Sequence, residues 1–410
     1  MKIVILTQYY PPEHGAPQNR LHDLARRFAA AGDDVTVMAA MPNYPRGEVF
    51  PEYRGKFSME EEIDGVRIVR SWIHASKSKG KIPQLACYFS FVFSAALVGL
   101  FKLPRADVLI CESPPLFLGF TALFLKSAKS AKLVFNVSDL WPESAVQLGM
   151  IGPGMALRFL EWFERLLYRS STFVSCQTEG IVKGVETAEP SASTFLLPNG
   201  VDLEMFPRIK KSRGKSGKPH FVVGYGGNHG RSQALNRVLE AAAIVAERNR
   251  DIEFRLVGDG PEKNAMLEQA ERSAMKNVAF LPPVPREKMA ETMAGWDCAL
   301  VPLRDIPIFD GARPSKMFEL MSAGLPFIMC ARGEGAEIAE KSGCGVVVPP
   351  ENPEKLAEAV LDMASMKEAD RRKMGDRGRK FVEGNFNRAE IAERFRKRLE
   401  DVFKNKENGK

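Results

Sequence analysis

Short β-branched and aliphatic runs recur along the chain, separated by longer stretches with helical spacing. KIVILT (2–7), DVTVMAA (34–40), VRIVRSWI (66–73), VLICES (108–113), KLVFNVS (132–138) and TFVSCQT (172–178) form a first series. After Gly214-Lys215-Ser216-Gly217 a second begins. It comprises HFVVGYGG (220–227), EFRLVGDG (253–260), VAFLPP (278–283), CALVPL (298–303), PFIMCA (326–331) and GVVVPP (345–350). Continuous apolar strands alternating with amphipathic helices indicate parallel sheets covered on both faces. The pattern predicts an α/β chain of two doubly wound, Rossmann-like domains facing across a cleft. Residues 1–205 form the first, 206–219 a basic linker and 220–385 the second. Ligands in such folds sit beyond the carboxyl ends of the strands.

Length agrees, because 410 residues exceed one compact core. The net charge of +7 is concentrated: RIKKSRGKSGK (208–218) carries six cations and no acid. The rest is close to neutral, so no nucleic-acid partner is expected. The six cysteines lack CxxC or Cys/His metal spacing, and four lie in apolar runs, which fits a reducing compartment. MKIVILTQYYPPE has no signal-peptide core, so a cytoplasmic location is expected. Residues 82–101 are twenty uncharged residues flanked by Lys77, Lys79, Lys81, Lys102 and Arg105. A buried core helix is the first reading of this segment, docking in a membrane interface the second and a true span the third.

Polar residues just after the strands carry the candidate chemistry. Gly15-Ala16 lets backbone approach a ligand at the start of a helix. Asp139, in SDLWPES (138–144), is placed for general-base or hydroxyl-orienting work, and equally for capping the next helix. GYGGNHGR (224–231) fails the dinucleotide fingerprint, since His229 stands where glycine is needed. Gly227, Asn228 and Arg231 remain suited to a phosphate. No Asp-x-Asp occurs and no histidines pair at helical spacing, so neither metal nor cofactor is expected. Arg, Lys and helix N-termini would then neutralise a diphosphate.

GARPSKMFELMSAGLPFI (311–328) concentrates these requirements. A helix should start near Pro314-Ser315 and stop at Gly324. Met317, Leu320 and Met321 would face the sheet. Arg313, Lys316 and the first-turn amides would hold an anion, and Glu319 would accept a ribose diol. The plainer alternative is an exposed ion pair between Lys316 and Glu319 that contributes little.

Together with YYPPEHGAPQNRLHDLARRFAAAGDDVTV, LPNGVD and LVGDGP, these segments resemble retaining glycosyltransferases of the GT-B fold, family 4. The likeness runs nearly end to end and is narrowest for the colanic-acid and O-antigen fucosamine branch. It implies transfer from a nucleoside diphosphate sugar, UDP-linked in preference to GDP-linked, with retained configuration and no metal. The acceptor would be a glycan or a polyprenyl-diphosphate-linked sugar. Glu319 matches the second glutamate of the Glu-x7-Glu motif, while the first falls at Gly311, with Asp310 beside it as a stand-in. The usual Arg and Lys fall at or near Asn228 and Gln233, which shifts phosphate neutralisation to Lys316, Arg313 or Arg231. Phe280 and Leu281 match the base pocket, and Pro314 and Ser315 adjoin the phosphates. Glu13, His14, Gly15, Asp139 and Trp141 fall on the acceptor side. A closing helix over 386–404 would pack on the first domain, and residues 77–105 would touch the inner face of the cytoplasmic membrane. A UDP-sugar 2-epimerase, or a non-catalytic sugar-nucleotide sensor, would share this fold.

Overall fold

The computed structural model describes residues 1–13, 15–78, 80–147, 151–210 and 221–404. They divide into two compact units, Met1–Pro198 with Ala389–Lys410, and Asn199–Arg388. The break falls before residue 205 because the chain there already packs into the second unit. Val201 bridges to Asn387, Phe206 is fully buried, and Ile209 N–H donates to the Ala323 carbonyl. The predicted linker therefore begins as packed chain, and its residues 211–219 lie outside the described residues.

The first unit carries strands β1 (Lys2–Leu6), β2 (Asp34–Ala40), β3 (Ser58–Ile63) and β4 (Val66–Ser71). It continues with β5 (Val108–Ser113), β6 (Lys132–Val137), β7 (Phe173–Cys176) and β8 (Thr194–Leu196). They form one sheet in the order β3-β4-β2-β1-β5-β6-β7-β8. Ile3 pairs with Val35 on one side and Val108 on the other, a parallel register running out from the centre. The expected all-parallel sheet is corrected at β3, which runs antiparallel to β4. Asp64 and Gly65 between them have φ of 49° and 75°, as a two-residue hairpin turn with this twist requires. A connection so short can only return antiparallel.

From Ala389 the closing helix belongs to the first unit. Phe395 is buried among Phe28, Phe173 and Phe195, and Arg396 Nε lies 2.7 Å from Asp33. The helix Lys81–Lys102 corrects another expectation, because it is not a buried core helix. Phe91, Ala95 and Val98 face the core, and Ser94 Oγ bonds Ser71 Oγ at 3.0 Å. Its opposite face leaves Phe93 and Phe101 68% and 77% exposed. The segment is long and apolar enough to cross a membrane by length and composition alone.

The second unit carries β9 (Phe221–Gly226), β10 (Ile252–Val257), β11 (Val278–Leu281), β12 (Cys298–Pro302), β13 (Phe327–Cys330) and β14 (Gly345–Val348). Their order is β11-β10-β9-β12-β13-β14, and every pairing is parallel. Val223, Phe254, Leu300 and Ile328 pack under one helical layer, and Phe327 and Met329 under the other. Coverage on both faces explains why these strands read as continuous apolar runs. Five cysteines are buried free thiols and Cys87 is half-buried, as small hydrophobes would be.

Candidate functional site

In the second unit the strand order reverses beside β9, and the loops after β9 and β10 interlock there. Gly227 N–H donates to the Val257 carbonyl and His229 N–H to the Asp259 carbonyl. Lys263 Nζ holds the Gly258 carbonyl at 2.8 Å. The helix Ser315–Ala323 points its first turn at the same place and ends on Gly324, whose φ of 69° suits only glycine well. Met317, Leu320 and Met321 anchor it in the core. Lys316 is thereby delivered beneath the glycine loop. Its Nζ donates to Tyr225 Oη at 3.0 Å and lies 4.1 Å from the centre of that ring. Gly227 has φ of 142°, and a Cβ there would come within 2.9 Å of the ammonium.

Burial lowers the Lys316 pKa to about 8, with Glu319 opposing the shift. The ammonium thus sits among phenol, backbone and glycine, an arrangement that favours an incoming anion. Glu319, one turn further on, pairs with Arg286, Nη2 to Oε1 at 2.8 Å. The simple Lys316–Glu319 ion pair is therefore replaced by two separate contacts on one helix face. His229 is completely buried with neither ring nitrogen in a well-formed hydrogen bond. Desolvation, reinforced by Lys263, lowers its pKa below the ordinary imidazole value.

In the first unit the strand ends carry a buried polar network. Arg20 Nη2 lies 2.5 Å from Glu112 and donates to Ser138 Oγ at 2.8 Å. Ser138 and Asn136 both donate to Glu112, and Gln177 donates to Ser138. Asp139 follows this network and is exposed. Partial desolvation of its carboxyl raises its pKa, and the neighbouring Ser144 and Leu140 oppose that shift.

Two family models match the chain in tandem. The Glycosyl transferase 4-like domain matches residues 15–200, and Glycosyl transferases group 1 matches 220–366. The chain belongs to these glycosyl transferases.

WcaI of Escherichia coli K12, a glycosyl transferase named for colanic acid biosynthesis, is 24% identical over 375 residues. The match covers 88% of this chain and 91% of WcaI. The same fold occurs in the sucrose-phosphate synthase of Thermosynechococcus elongatus, with a TM-score of 0.76, 17% identity and coverage of 98% and 99%. It also occurs in Anabaena HepE solved in complex with UDP-glucose, at 0.67, 15%, and 98% and 100%.

Within this glycosyltransferase the sequence-derived residues separate clearly. Lys316, Glu319, Gly227 and Asn228 come together, the Asn228 carbonyl accepting from Tyr225 Oη at 2.7 Å. Phe280 and Leu281 are half-buried at the end of β11, and Leu281 also accepts from Gly258 N–H. Pro314 caps the helix and Ser315 is exposed beside it. Three more of these residues have surroundings of a different kind. Arg313 is engaged by Glu334 at 2.7 Å, so its charge is already balanced. Arg231 has an 85% exposed side chain turned toward Glu262, whereas Lys316 is half-buried. Asp310 is exposed, and its carbonyl, not its carboxylate, makes the contact, accepting from Glu334 N–H at 2.7 Å.

On the acceptor side Glu13 turns into the loop after β1. Its buried carboxylate accepts from the N–H groups of Tyr10, Asn43 and Tyr44 and is spent on shaping the loop. Gly15 adjoins the helix start, and His14 lies outside the described residues. Trp141 packs edge-on against Phe117 at 5.6 Å, so the Trp-Pro pair braces the Asp139 loop. Sequence reasoning missed Tyr225, Arg286 and the Arg20–Glu112 network. GYGG marked Tyr225 weakly, but nothing local couples Arg286 to a residue 33 positions away. Among the described residues no three His, Cys, Asp or Glu side chains are grouped to hold a metal ion.

Proposed function

We propose that this glycosyltransferase moves a hexosyl or N-acetylhexosaminyl group from a UDP-sugar, with retention of configuration and without a metal. The observation that carries the reading is Lys316 and Glu319 on one helix face beside the Gly227 loop. Lys316 and the first-turn amides would take the diphosphate, Glu319 the ribose, and Phe280 and Leu281 the base. Asp139 would orient the acceptor hydroxyl. The acceptor oxygen bonds to the anomeric carbon as the bond to the β-phosphate oxygen breaks. The hydroxyl proton passes to that departing oxygen on the same face, so UDP leaves as the glycoside forms. HepE's complex with UDP-glucose supports the choice of nucleotide.

The name of WcaI, which refers to colanic acid biosynthesis, supports a role in polysaccharide synthesis, where the acceptor would be a glycan or a polyprenyl-diphosphate-linked sugar. The work would then take place in the cytoplasm, at the inner face of the membrane, with the exposed apolar face of Lys81–Lys102 in contact with lipid. Calorimetric titration with UDP, GDP and NAD, repeated with EDTA, tests the donor side. UDP binding that ignores EDTA is expected. NAD binding, or UDP binding lost with EDTA, would overturn the reading.

A further inference from the structure

We infer that Arg286 is a positioning residue that presets Glu319 for the ribose diol and so sets sugar-nucleotide selectivity. The inference rests on the assignment of Glu319 to the ribose and adds a residue to it. Arg286 begins the short turn Arg286–Lys288, directly after the proline-rich Pro282-Pro283-Val284-Pro285 that leaves β11. Proline fixes φ and narrows the directions in which this loop can deliver the guanidinium. That guanidinium lies 5.5 Å from the centre of the Phe206 ring, which supports it from a second side. The start of the same loop is tied to the glycine loop by the bond from Gly258 N–H to the Leu281 carbonyl. One ion pair therefore joins the Phe280–Leu281 end of the site to the Ser315–Ala323 helix.

The contact engages a single carboxylate oxygen, Oε1. A carboxylate has about four lone-pair sites, so it can accept two hydroxyl hydrogens while Arg286 stays bound. A free glutamate side chain must lose rotamer freedom when it is fixed. Arg286 removes most of that loss before the ligand arrives. It also neutralises a carboxylate, 14% exposed, that would otherwise repel a neighbouring diphosphate. The second effect is blind to the ribose hydroxyls and the first is not, which makes the two separable.

Binding of UDP and 2′-deoxy-UDP to the wild type, Glu319→Gln, Arg286→Met and Arg286→Lys tests this. The wild type should prefer UDP by about tenfold or more, the size of one hydrogen bond to a charged acceptor. Glu319→Gln should abolish the preference, Arg286→Met should reduce it to about two- to threefold, and Arg286→Lys should retain part of it. Melting temperatures of the four proteins show whether the folds are comparable, and the lysine variant keeps the test open if methionine unfolds the loop. A preference that Glu319→Gln abolishes but Arg286→Met leaves intact overturns the role of Arg286 alone. Equal wild-type binding of both nucleotides overturns the ribose assignment, and the inference with it.

Discussion

Lys316 Nζ stands 3.0 Å from Tyr225 Oη, held over the ring by a helix whose other side is wholly buried. With its pKa lowered to about 8 by desolvation, this lysine loses its charge in mildly alkaline solution unless an anion joins it. The folded pKa lies below the ordinary value, so the unfolded chain binds more protons between about pH 8 and 10.5. Stability from this group therefore rises with pH across that window and is flat below it.

UDP binding should accordingly take up close to one proton at pH 9 and almost none through Lys316 at pH 6.5. Calorimetry in buffers of different ionisation enthalpy reads this directly. Lys316→Met should bind UDP at least tenfold more weakly and lose the uptake. Equal uptake in wild type and variant would remove Lys316 from the phosphate site.

Gly227→Ala should weaken UDP binding about tenfold and cost roughly 1–3 kcal/mol of stability, since its positive φ disfavours a side chain. The new methyl would also press within 2.9 Å of the Lys316 ammonium. Chemical denaturation and titration of one preparation separate the two effects. Unchanged UDP affinity would place the phosphate away from this loop.

Asp139→Ala should leave UDP affinity within about twofold and lower transfer by about 100-fold, the size of a general-base or orienting contribution. Full transfer activity in this variant would reduce Asp139 to a cap.

Phe93→Ser with Phe101→Ser should release the protein from vesicles containing anionic phospholipid without changing UDP affinity. Burying each ring contributes roughly 2 kcal/mol, enough for a pair to govern a reversible attachment. Co-flotation measures the bound fraction. Wild-type protein that stays off such vesicles and sediments as a dimer would assign the surface to a second copy instead.

The alternation of apolar strands and amphipathic helices was enough to announce two doubly wound α/β units, because burial on both faces imposes the same residue types wherever it occurs. The helix Ser315–Ala323 was legible to its ends, since Pro314 and Gly324 act locally. Strand β3 was not, because SMEEEI is half-exposed and shows little apolar pattern. Nor was the outer face of Lys81–Lys102, where apolar residues look alike in sequence whether buried or bare.

The site divides in the same way. Sequence by itself determined which residue types arrive at the strand ends, because loop position follows from local pattern. Only the tertiary structure decided their partners: Arg313 with Glu334, Glu319 with Arg286, Glu13 with three backbone amides, and Lys316 with a phenol. A charge becomes available to a ligand or is neutralised within the fold according to distances of a few ångströms. Those distances are set by chain segments far apart in sequence, and no local spacing encodes them.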